Sequence, residues 1–147
     1  MGRVCFVFLD GVGLGPNDST NPLAVAPMPH VRDLLGGGLV AGQEVQQAGI
    51  LFRPLDACLG VEGLPQSGTG QTALFTGVNA AAVEGMHIAA YPTAALRALI
   101  EKHSLLKQAK EMGKRATFAN AYSDRYWELV AERRLHHSAT TLTSMAA

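Results

Sequence analysis

The sequence predicts an α/β domain built on a mainly parallel, largely buried sheet, and three observations predict it. Charged residues make up only 16% of the 147 residues, while 48% are hydrophobic and 16 are glycine; soluble domains carry roughly 25% charged residues. Residues 4–9 are apolar without alternation, as in a strand buried on both faces of a parallel sheet. Apolar runs, glycine-rich loops and helical patterns then alternate, which is the rhythm of a wound α/β chain. The length suits one domain spanning residues 1–147 with its own core.

The elements follow in order. Val4-Cys5-Phe6-Val7-Phe8-Leu9 is the first strand, ended by Asp10-Gly11. A loop of turn formers follows, from Gly11 to Ser19. Residues 28–35 form a short amphipathic helix stopped by Gly36-Gly37-Gly38. Residues 49–59 hold a second extended segment, interrupted by Pro54. Gly63 to Thr72 is a polar loop, and Thr72-Ala73-Leu74-Phe75 begins a helical stretch that ends at Gly77. Thr93 is an N-cap, and Leu96, Leu99, Ile100, Leu106, Ala109 and Met112 follow at helical spacing, with a break at Ser104 and a stop at Gly113. Residues 116–122 form a final strand.

Composition excludes several function classes. Twelve basic and twelve acidic residues balance, which speaks against a general nucleic-acid binder. The balance is uneven along the chain: residues 1–100 carry four Arg, no Lys and seven acids, and residues 101–147 carry eight basic and five acidic residues. Cys5 and Cys58 sit in apolar runs with no CxxC pair, so they read as buried free thiols of a cytoplasmic protein. The apolar run at the N-terminus is too short for a signal core or a membrane span.

Two positions carry chemistry. Asp10 stands where an apolar strand meets a glycine-rich loop, the place where open α/β sheets collect ligands. A carboxylate there suits a divalent cation, and Gly11 and Gly13 leave room beside it; an Asp that merely caps the turn fits the local sequence as well. Ser67 lies in Gln66-Ser67-Gly68-Thr69-Gly70-Gln71-Thr72, a glycine-rich turn ahead of a helix. A helix start favours a phosphate or a developing alkoxide, although Ser67 or Thr69 also fits as a plain N-cap. Gly63 and Gly68 have the outer spacing of a P-loop, but Thr69 stands where that motif needs Lys, which excludes a nucleoside triphosphatase. Gly11-Val12-Gly13-Leu14-Gly15 lacks the GxGxxG pattern of a dinucleotide site.

Together these segments resemble the alkaline phosphatase superfamily, in particular the metalloenzyme branch of cofactor-independent phosphoglycerate mutase and phosphopentomutase. Val7-Phe8-Leu9-Asp10-Gly11-Val12-Gly13 looks like its opening strand and metal turn. Asn21-Pro22-Leu23-Ala24, Pro27-Met28-Pro29 and Leu34-Leu35 are similar to the mutases' first loop and helix. Ser67, with Thr72-Ala73 and then Thr76-Gly77, resembles the nucleophile helix. The likeness spans residues 3–77 and becomes generic afterwards. It implies a three-layer αβα fold with a mainly parallel sheet, incomplete in this chain. It implies two divalent ions (Mn or Zn, with Mg as a further option), with Asp10 and Ser67 as ligands and Ser67 as the nucleophile in phosphoryl transfer. The substrate is a small phosphorylated metabolite, and Gly11, Gly68, Thr69, Asn79 and His87 are candidate substrate contacts. Neither a nucleic acid nor a membrane is a partner, and self-association is left open. Sulfatases and phosphodiesterases of the superfamily attack with a modified Cys or a Thr, so Ser67 speaks against both.

One departure stands out. The family completes its metal site with later Asp and His motifs, whereas after Ser67 this chain has only Asp124 and four His: His87, His103, His136 and His137. The chain is therefore expected to be the N-terminal portion of a larger protein, and a non-catalytic fragment or binding module is the alternative function. Arg133-Arg134 with His136-His137 is a basic spot ahead of a helix N-cap, which suits a phosphate or a solvated junction. Tyr126 and Trp127 read as core or interface residues.

Overall fold

A computed structural model describes residues 2–147. It is a small α/β protein in which helices outweigh a two-stranded antiparallel sheet. The chain divides into two compact units, one running to Leu55 and one from Asp56 to Ala147. No helix among the described residues is long and apolar enough to cross a membrane.

The first unit holds α1 (Pro22–Val25), α2 (Pro29–Leu35), β1 (Val45–Gln47) and β2 (Ile50–Phe52). Both helices open on a proline, whose fixed φ suits a first turn that needs no N–H partner. Asn21 caps α1: its side chain accepts from the Leu23 N–H at 3.0 Å and donates to the Pro16 carbonyl at 2.8 Å. The helix expected over 28–35 is α2, and Gly36 ends it at φ 67° as a left-handed cap. β1 and β2 form a hairpin with Val45 opposite Phe52 and Gln47 opposite Ile50. Gly49 turns it at φ 81°, a conformation that side chains with a Cβ resist.

The expected strand at 4–9 forms no ladder among the described residues. Cys5 in it is exposed and Cys58 half-buried, so the reading of two buried thiols is corrected, although both are free. The strand expected at 116–122 is likewise irregular. Among the described residues, parallel pairing is confined to an isolated bridge between Gly15 and Val40. The described sheet is the antiparallel β1–β2 pair; a strand needs at least one neighbour to form a ladder, and residues 4–9 are in no ladder among the described residues.

The second unit is helical: α3 (Ser67–Thr76), α4 (Ala80–Glu84), α5 (Ala94–His103), α6 (Leu105–Glu111), α7 (Asp124–Ala131) and α8 (Ala139–Met145). Thr93 caps α5 as the sequence leads one to expect, and at the expected break Ser104 caps α6. α3 starts at Ser67, five residues before the expected Thr72, and stops at Gly77 with φ 72°. The early start follows from packing: α3 lies against both α5 and α8, and α5 against α8, so tertiary contact overrides the poor helix propensity of Gly68 and Gly70.

Hydroxyl side chains share the buried core of this unit with apolar ones. Leu96, Ile100, Ala80 and Ala139 are buried, and so are Thr69, Thr72, Thr143 and Ser104. A buried hydroxyl without a partner costs about 1–3 kcal/mol, and here each is bonded. Thr72 donates to the Gly68 carbonyl at 2.6 Å, Thr76 to Thr72 at 2.7 Å and Thr143 to Ala139 at 2.8 Å. Ser104 is bonded twice: it accepts from the Lys107 N–H at 3.3 Å and donates to the Thr143 carbonyl on α8 at 2.8 Å.

Ser104→Ala removes a cap and a buried interhelix bond together, and is expected to destabilise the protein by about 2–3 kcal/mol. Ser123→Ala removes only the exposed cap of α7, about 1 kcal/mol. Urea denaturation of both variants checks the ranking, and equal losses would refute the interhelix role of Ser104.

Candidate functional site

The two chemical positions fall in different units. Asp10 lies in a turn of the first unit, exposed, with Oδ1 accepting the Gly11 N–H at 3.1 Å. Gly11 is left-handed there at φ 71°. This bond engages Oδ1 with the N–H of the next residue along the chain.

Ser67 is the first residue of α3, half-buried, behind the extended Gln66, which makes no side-chain cap bond. Its neighbours are drawn inward. Thr69 is fully buried and Gly68 is buried with it. The Thr69 N–H donates to the Ile88 carbonyl at 3.4 Å, and the Ile88 N–H donates to Thr69 Oγ1 at 3.3 Å. A Cβ on Gly68 would stand 2.6 Å from that same Ile88 carbonyl oxygen. His87 Nε2 donates to the Val61 carbonyl at 3.2 Å. Its ring also lies 3.5 Å from where a Gly63 Cβ would be.

The structure therefore gathers Gly68, Thr69 and His87 around the start of α3, with Ser67 immediately before Gly68 in the chain. Asn79 caps α4 and donates to the Leu59 carbonyl at 2.8 Å. Ile88 did not stand out in the sequence. The signal that points to it is a glycine inside a first helical turn, where propensity alone argues for another residue. Two surface depressions in the unit, one beside Arg97 and Leu142 and one beside Leu106 and Phe118, do not border Ser67.

Cys58 is a free, half-buried thiol. Burial raises its thiol, the Asp56 charge adds to this, and its Sγ donates to the Gly63 carbonyl at 3.6 Å. Among the described residues, no three His, Cys, Asp or Glu side chains gather into a group that would hold a metal ion. The residues present thus do not assemble the two-ion donor set that the resemblance implies.

A second concentration of polar groups lies ahead of α8. Tyr122 stacks on Tyr126 with centroids 4.5 Å apart, and Trp127 meets both edge-on. Thr141 donates to the Tyr122 hydroxyl at 3.1 Å. Burial pushes the Tyr122 phenol up, but hydrogen bonds from Thr141, Thr140, Ser138 and Asn120 outweigh it and leave the group below its ordinary value. His137 approaches Trp127, and its Nδ1 is buried without a hydrogen-bond partner. Burial, with the Arg97 charge second, holds this imidazole below its ordinary value.

No family model, no curated protein and no solved structure matches the chain.

His137 gives the fold a direction of pH dependence. Unfolded, the ring takes up a proton at about pH 6.5; folded, it resists until lower pH. Its contribution is therefore intact above that value and is lost as pH falls through the window below it. Urea denaturation at pH 7.5 and 5.5 is expected to show a smaller acid loss in His137→Gln than in the unaltered protein. Equal losses in the two proteins would refute the assignment.

Proposed function

We propose that the chain carries the nucleophile segment of a phosphoryl-transfer domain, acting on small phosphorylated metabolites as a phosphatase or phosphomutase. The observation that carries it is Ser67 at the first position of a ten-residue helix whose start is held by buried contacts. The positive end of a helix favours an oxyanion and a phosphate. The Ser67 Oγ–P bond forms as the P–O ester bond of the substrate breaks, the hydroxyl proton passing to solvent base and the alcohol leaving. Water, or the alcohol rebinding at another oxygen, then takes the phosphoryl group from Ser67. Ions of the Mn, Zn or Mg class belong to this reading through Asp10 and Ser67, and would neutralise charge on the transferred group. The donor set is incomplete among the described residues, so no step is routed through an ion.

A second reading is favoured by a specific observation. Val4, Val7 and Leu9 are 94%, 73% and 64% exposed, although their sequence is that of a doubly buried strand. This supports the chain as the front part of a larger, three-layer domain with a mainly parallel sheet, non-catalytic by itself and lacking the full metal site. Phosphoryl transfer then belongs to the larger protein.

Hydrolysis of p-nitrophenyl phosphate with Mn²⁺ or Zn²⁺ tests the nucleophile, in this chain and in its longest natural reading frame. Ser67→Ala is expected to lower the rate by at least about 100-fold, and equal rates would overturn the assignment. Calorimetric titration with Mn²⁺ tests the second reading, which two tightly bound ions in the 147-residue chain would overturn.

A further inference from the structure

The geometry points to Gly68 and Thr69 as positioning residues that align Ser67 by clasping Ile88, an inference that rests on Ser67 being the nucleophile. Three contacts converge on one backbone unit. The Ile88 carbonyl accepts from the Thr69 N–H, the Ile88 N–H donates to the Thr69 hydroxyl, and the same carbonyl occupies the space that a Gly68 side chain would need. Thr69 Oγ1 also reaches the Gln66 carbonyl at 3.4 Å, across Ser67. His87, the residue before the clasp, ties down Val61 in the loop that leads to Ser67.

Each contact removes a degree of freedom from the turn that carries Ser67. The first turn of a helix normally frays, because its N–H groups lack partners within the helix. Here Ile88 supplies one such partner, and Thr69 returns a bond to the backbone that supplies it. The turn stays helical from its first residue, so the positive end of α3 is held at Ser67 rather than slipping inward. Gly68 is not needed for its φ, which is not left-handed. It is needed because the approaching atom is a backbone oxygen, which cannot swing aside as a side-chain end can.

The test reads the electrostatics at residue 67 without any phosphate ester. In a Cys5→Ser, Cys58→Ser background, Ser67→Cys places a thiol at the helix start, and its alkylation by iodoacetamide is followed from pH 5 to 9. A helix N-terminus favours the thiolate. Adding Thr69→Val is expected to slow alkylation at pH 7 by about 3–10-fold and to move the inflection to higher pH, while Thr69→Ser, which keeps the hydroxyl, is expected to retain the parent profile. Gly68→Ala is expected to act like Thr69→Val, although alanine is the better helix former. Circular dichroism establishes that each variant is folded. A parent-like profile in folded Thr69→Val and Gly68→Ala would overturn the clasp, and so would failure of both to fold, which assigns the contacts to folding alone. Failure of the nucleophile reading appears elsewhere, as equal phosphatase rates with and without Ser67.

Discussion

The helical unit depends on one constraint: every hydroxyl that α3 turns inward must find a backbone hydrogen-bond partner within reach. α3 contacts α5 and α8 through threonines and glycines rather than through a leucine stripe. Thr72 and Thr76 satisfy the constraint by bonding one turn back along their own helix. Thr69 satisfies it outside the helix, on Ile88. The helix is thereby able to sit in a buried place with little hydrocarbon of its own, the remainder of the apolar contact coming from Phe75, Leu96 and Ile100. The same constraint explains why the site turn is rigid, since the residue that satisfies Thr69 also covers Gly68.

Helix boundaries set by local chemistry were legible in the sequence. Thr93, Ser104, Gly36 and Gly77 act as caps where their residue types lead one to expect. Ser123 and Ser138 cap α7 and α8 by the same device. What the sequence did not disclose depends on partners distant along the chain. Val4 to Leu9 has the composition of a strand, but a strand exists only where a neighbour completes its ladder. Residues 67–71 read as a loop because of their glycines, and burial against α5 and α8 reverses that preference.

The candidate site was legible in part for the same reasons. Ser67 was visible because a serine in a glycine-rich turn ahead of a helix is a local pattern. Thr69 and Gly68 were visible as positions and not as roles. Both looked open to a ligand, whereas the fold spends the hydroxyl of one and the vacant space of the other on Ile88. Asn79 likewise lies near Ser67 in the chain, but it is occupied in capping α4 and holding Leu59. A spent hydrogen bond has no signature in the sequence, because its partner is a backbone N–H or carbonyl that almost every residue possesses.

The aromatic cluster ahead of α8 has an optical consequence. The chain contains a single tryptophan, and that residue touches Tyr122, Tyr126 and His137 at once. Its indole emission therefore arises from one place alone, where the segment of residues 122–127 meets the approach to α8. A change in its colour or intensity reports how this cluster is assembled, which makes the protein its own fluorescent gauge of the packing ahead of α8.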